Sequence, residues 1–106
     1  GVLEQVGDLA GALAASEQAL RLEPNQPAVL NNHCYILTRA ERAAEGLPYC
    51  ERAVAGAPDV ASVRHSLAVA LTQLGRCEDA QGALAEARRL DPVSVEYAQP
   101  IACAAR

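Results

Sequence analysis

The chain has 106 residues, the size of one small domain, and carries a net charge of −4. All nine basic residues are arginines, and they form no stripe suited to tracking phosphates, so nucleic acid is not an expected partner. No apolar stretch approaches the roughly 20 residues that cross a bilayer, so membrane insertion is not expected, and no signal peptide is visible.

About half the residues are apolar, but there is no Phe, Trp or Met, and only three Tyr. Alanine dominates. Small side chains bury little area each, so a stable core requires helices that approach closely. Alanine is also the best helix former, which suits an all-helical chain. The Ala- and Arg-rich, lysine-free composition suggests a GC-rich coding genome and a bacterial source. The compartment is not written in the residues; the cytoplasm is favoured.

A single interval organises the chain. Pro24, Pro58 and Pro92 are each 34 residues apart, and so are Ala19, Ala53 and Ala87, and Leu3, Leu37 and Leu71. The small residues Ala12, Gly46 and Ala80 keep the same spacing. A fixed period of about 20–50 residues marks a stack of repeated units. The stack is expected as one domain over residues 1–106. Residues 1–26 read as the last three-quarters of a unit, with a turn at Gly7 and Asp8. A helix follows, with Leu13, Ser16, Ala19 and Leu20 on its inner face, and ends before Pro24.

Residues 27–60 form a full unit. Val29, Leu30, His33, Cys34 and Leu37 recur at the spacing of one buried helical stripe. A turn is expected at residues 40–42, then a second helix ending before Pro58. Residues 61–94 repeat the plan with Val63, Leu67, Ala68 and Leu71, a turn at 74–76, and Leu84, Ala87 and Leu90. Gly75 suits a left-handed conformation in that turn. Residues 95–106 read as a partial repeat or capping helix carrying Val95, Tyr97, Ile101 and Ala102.

These residues resemble the tetratricopeptide repeat family over almost the whole chain. The third unit, ASVRHSLAVALTQLGRCEDAQGALAEARRLDP, carries the pattern in Leu74–Gly75, Ala80, Ala87 and Leu90-Asp91-Pro92. The first unit's GDLAGALAASEQALRLEP matches over its second helix. The resemblance implies an all-α superhelix, a right-handed solenoid of antiparallel helix pairs. The second unit departs from the pattern. Cys34 replaces Gly or Ala, Glu41 replaces the turn glycine, His33 replaces a core Leu, and Pro48 falls inside the second helix. Looser or kinked geometry is expected there, because an interior proline removes a helical hydrogen bond.

In the family the first helix of each unit lines a concave groove that binds a partner. Transferred to this chain, that face carries Ala28, Asn31, Asn32, Tyr35 and Arg39, followed by Ser62, His65, Ser66, Val69 and Gln73. Glu4 and Gln5 extend it at one end, and Glu96, Gln99 and Cys103 at the other. Asn32 resembles the peptide-clamping Asn of several members, and an amide pairs with both the N–H and C=O of an extended peptide. Tyr35 beside it offers an apolar platform with a hydroxyl. The basic clamp by which some members grip a chaperone's C-terminal carboxylate is not supported. The chain has no Lys, and Ser62 and Ser66 stand where a Lys and an Arg would fall.

The cysteines, Cys34, Cys50, Cys77 and Cys103, match no metal-binding spacing, and no metal or cofactor is expected. Cys34 and Cys50 lie on the inner faces of one unit's two helices. They either pack as small apolar residues or bond to each other; packing is the commoner arrangement. Cys103 is expected exposed in the groove. It lies one repeat from His65, about 10 Å by helix-packing distance, too far for a hydrogen bond. No nucleophile, base and orienting group come together, so an enzyme is not expected. The leading expectation is an interaction module that holds a peptide or helix of a partner protein. The alternatives are a structural or regulatory repeat segment of a larger protein, itself an enzyme in one version, and a self-association module.

Overall fold

The computed structural model describes the backbone of residues 2–104 and the side chains from Asp8 onward. It contains α1 (Val2–Leu22), α2 (Pro27–Arg39), α3 (Ala43–Gly56), α4 (Ala61–Gln73), α5 (Cys77–Leu90) and α6 (Val95–Ala98). No strand occurs among the described residues. The corners after α1, α3 and α5 share one chemistry. Helices α1, α3 and α5 each stop two residues before Pro24, Pro58 and Pro92, because proline disfavours helical backbone in the residue ahead of it. Pro27 opens α2, where its missing N–H loses no helical bond.

Helix α2 packs on α3 and α4 on α5, and α3 packs on α4. The core runs through these contacts as small clusters. Leu30, Ala53 and Val63 form one, Cys34, Ala43, Cys50 and Ala70 the next, and Ala68, Leu71, Ala80, Ala83 and Leu84 the third. Leu47, Tyr49 and Leu67 each touch two clusters and join them. The helices cross closely enough that a Cβ on Gly46 would lie 3.0 Å from the Cys34 carbonyl oxygen.

The second unit keeps both of its helices despite its departures from the pattern. Helix α3 continues through Pro48, which is exposed. The carbonyl that loses its helical partner belongs to Ala44, also exposed, so water can satisfy it. Cys34 and Cys50 are joined by a disulfide with Cα atoms 5.3 Å apart, in place of the unbonded packing expected for them. The facing positions of the two helices bring both sulfurs into one fully buried spot. Glu41 adopts a φ of 63°, matching Gly75 at 76° one repeat on. The turn keeps its left-handed geometry with a side chain that disfavours it.

The start and end of the chain differ from expectation. Helix α1 runs without a break through Gly7 and Asp8, where a turn was expected. One glycine weakens a helix by only about 1 kcal/mol, which is not enough to end one. Leu3, Glu4 and Gln5 lie outside the described side chains. At the other end α6 is a single turn, and residues 99–104 are irregular. Pro100 disfavours helix at Gln99, and a second disulfide, Cys77–Cys103, with Cα atoms 5.6 Å apart, carries the segment back to the start of α5.

His33 joins α1 to α2. Its Nδ1 lies 2.8 Å from Ser16 Oγ, and the hydroxyl donates to the Leu13 carbonyl at 3.0 Å. With that hydrogen committed, Nδ1–H is the donor to Ser16. The ring stands edge-on to Tyr49, with centroids 4.6 Å apart. Burial pushes the His33 pKa down; Glu17 opposes this and Arg42 adds to it.

Two predictions follow from these strained and buried groups. Glu41→Gly relieves the left-handed backbone and is expected to raise unfolding free energy by about 1 kcal/mol in urea titration. For His33, the folded value lies below the ordinary value of about 6.5. The unfolded chain therefore takes up the proton first as pH falls. The stability tied to neutral His33 is full above about pH 6.5 and is lost as pH falls through the lowered value. Thermal melts of the wild type and His33→Leu between pH 7.5 and 4.5 check this: the wild-type melting temperature should fall more steeply on acidification.

Candidate binding groove

Helices α2 and α4 lie side by side, and α6 closes the end beyond α4. Between them is a cavity of about 630 Å³. Asn31, Asn32 and Tyr35 line it from α2, Ser62, His65 and Ser66 from α4, and Glu96 and Tyr97 from α6. Ala28, Ala57, Val60 and Val63 supply apolar surface. The helical period explains the grouping. Residues 31, 32 and 35, and 62, 65 and 66, recur at three and four positions, which places each set on one face.

The cavity is nearly neutral. Glu96 is the only carboxylate among the described residues that line it, and no arginine does. His65 Nδ1 is 3.8 Å from Glu96 Oε1, and the His65 and Tyr97 rings lie 4.8 Å apart. Burial pushes the His65 pKa down, while Glu96 pulls it up. Burial also raises the Tyr97 pKa, with Glu96 and Asp91 adding to it. Asn31 Oδ1 is buried and has no hydrogen-bond partner among the described residues. An unpaired buried carbonyl costs about 1–3 kcal/mol, and this oxygen has almost no accessible surface.

Not every residue expected in the groove is free to serve it. Gln73 is committed elsewhere. Its Nε2 donates to the Thr38 carbonyl at 2.7 Å, and its Oε1 accepts from the Ala43 N–H at 3.0 Å. It therefore adds a second donor to the Thr38 carbonyl, which also accepts from the Glu41 N–H at 3.0 Å, and supplies the acceptor for an N–H that the start of α3 leaves unpaired. Arg39 lies 5.9 Å from the Tyr35 ring and lines a smaller depression against α1. Val69 is half-buried and outside the cavity, and Ser66 is almost fully buried at its floor. Gln99 does not line it either; its carbonyl accepts from Arg88. Cys103 is not an exposed groove thiol, because it is bonded to Cys77. Glu96 and Cys103 would share a face only on a continuous helix, and α6 ends between them.

Tyr97 is the groove residue that sequence reasoning placed elsewhere. Its only signal is an aromatic side chain in a short segment after Pro92. No group of three or more His, Cys, Asp or Glu side chains gathers as a metal site among the described residues. No described helix is long and apolar enough to cross a membrane.

The tetratricopeptide repeat pattern matches residues 37–101, more than half of the chain. The chain belongs to the tetratricopeptide repeat family. No curated protein matches it. Among solved structures it is similar to MamA from Desulfovibrio magneticus RS-1, residues 41 to the end, with a TM-score of 0.77 and 27% identity. That match covers 90% of this chain and 54% of MamA, so the chain spans about half of that protein's length. A double mutant of the same MamA matches at the same TM-score. The first such repeat domain of human RPAP3 matches with a TM-score of 0.78 at 19% identity, over 88% of this chain and 73% of that one. The RPAP3 likeness shows the fold alone. Together these findings make this tetratricopeptide repeat chain an all-α superhelix and a protein-interaction module.

The double role of Gln73 is open to direct measurement. Gln73→Ala should lower unfolding free energy by about 1–2 kcal/mol in chemical denaturation, since the Ala43 N–H loses its acceptor while the Thr38 carbonyl keeps the Glu41 N–H. Gln73→Glu keeps the acceptor for Ala43 but sets a carboxylate oxygen against the Thr38 carbonyl, so its loss should be at least as large.

Proposed function

We propose that the groove between α2, α4 and α6 holds an extended segment of a partner protein. The observation that carries this reading is the exposed pair Asn32 and Tyr35 on one wall of the cavity, facing Ser62 and His65 across it. An extended segment has free backbone N–H and C=O groups to pair with the exposed Asn32 amide, whereas the interior of a helix has none. Asn32 adds a donor and an acceptor, and Tyr35, which is 42% exposed, gives an apolar platform. The helices are preformed, so little ordering opposes binding. The partner segment is expected to be uncharged or basic near Glu96, and to lack the run of acidic groups that a lysine-rich clamp would take.

Location belongs to the same reading. All four cysteines are paired, which favours an oxidising compartment over the cytoplasm.

Peptides selected from a random library on the immobilised wild-type chain provide the probe. Asn32→Ala with Tyr35→Ala is expected to weaken their binding by about tenfold or more, because hot-spot residues dominate such interfaces. Unchanged affinity in isothermal titration, with unchanged helix content, would show that the groove is not the binding surface.

A further inference from the structure

The two disulfides sit in different surroundings. Cys34 and Cys50 are fully buried between α2 and α3. Cys77, the first residue of α5, and Cys103 in the irregular C-terminal segment are both partly exposed. A thiolate must reach a sulfur to exchange with it, so access decides which bond reacts first.

The segment fastened by Cys103 has little else to hold it. Among the described residues, none of residues 100–104 makes a backbone–backbone hydrogen bond. Ile101 rests on the cluster around Leu71 and Leu84. Arg88 donates to the carbonyls of Tyr97 at 2.7 Å, and of Ala98 and Gln99 at 3.3 Å each. Helix α6 is a single turn, too short to persist without tertiary support. Yet α6 carries Glu96 and Tyr97, the end wall of the cavity against His65.

We propose that Cys77–Cys103 is a redox latch on this wall, opened by a dithiol reductant while Cys34–Cys50 stays closed. A thiolate of the dithiol attacks one sulfur of the pair. The Cys77–Cys103 bond breaks, a mixed disulfide forms, and the released cysteine thiolate takes a proton. The second thiol of the reductant, as its thiolate, then displaces the other cysteine, which also takes a proton. The protein gains two thiols and the reductant becomes a disulfide. Residues 99–104 are released, α6 loosens, and the groove loses its wall at His65. Binding of a partner segment is thereby tied to thiol redox state; this last step rests on the groove reading above.

The experiment treats the folded chain with graded dithiothreitol at neutral pH, quenches with iodoacetamide and maps the alkylated cysteines by mass spectrometry. Cys77 and Cys103 are expected to be labelled about tenfold or more faster than Cys34 and Cys50, with helix content retained. In the selectively reduced protein, the His65 ring protons should shift in NMR spectra. Amide exchange over residues 95–104 should quicken by about tenfold or more, with α2 to α5 still protected. Cys77→Ser with Cys103→Ser should reproduce both changes without reductant. Simultaneous labelling of all four cysteines overturns the latch, and so do unchanged His65 signals and exchange after selective reduction. These readouts need no ligand, so they fail separately from the groove. The library-selected peptides then test the link. Affinity that is equal in the oxidised and selectively reduced forms overturns the tie to binding, whereas failure of the groove itself appears in the Asn32 and Tyr35 double variant.

Discussion

Helices α2 and α3 meet so closely that Gly46 has no room for a Cβ without pressing on the Cys34 carbonyl, 3.0 Å away. A chain without Phe, Trp or Met cannot fill a wide gap between helices. It gains burial by bringing backbones together, so that Leu30, Ala53, Val63 and their neighbours touch over short distances. The disulfide between Cys34 and Cys50 fixes the same crossing covalently. This geometry also leaves the opposite face of α2 uncovered. Asn32 and Tyr35 face outward because Leu30, Cys34 and Leu37 must face inward, and Asn31 sits half-buried beside them.

The groove is therefore a by-product of core packing along most of its length and an addition at its end. Residues on α2 and α4 reach it through the helical period. Glu96 and Tyr97 reach it through a short segment held by Arg88, Ile101 and a disulfide. The two parts differ in what supports them. One rests on the buried core and the other on a few contacts at the surface. Cooperative opening is easiest where buried contacts are fewest, so the wall is the part of the groove most able to move.

Much of the fold was legible because its information is local and repeated. The 34-residue spacing set the helix phases, and the prolines marked the ends of α1, α3 and α5. The groove face of α2 could be read directly, since three neighbouring positions on one helix need no knowledge of any other element. Misreadings arose where local cues competed. Gly7 and Asp8 resemble a turn by composition, yet α1 runs through them. Pro48 reads as a helix breaker, yet α3 continues through it, and its one lost bond falls at the carbonyl of exposed Ala44. Glu41 stands where a glycine is usual, and the surrounding helices impose the left-handed turn anyway.

The sequence by itself determined the class of structure, the order and phase of α2 to α5, and most of their inward and outward faces. Those properties follow from the 3.6-residue period and from proline stereochemistry, which act within a few residues. Only the tertiary structure decided how Gln73 is used, which cysteines pair, and what closes the groove. Gln73 meets Thr38 and Ala43 across 35 and 30 residues, and Cys77 meets Cys103 across 26. Contacts of that kind depend on where the chain returns after several elements. Four cysteines allow three pairings, and spacing alone does not choose among them. The choice is made when packed helices bring particular side chains within bonding distance.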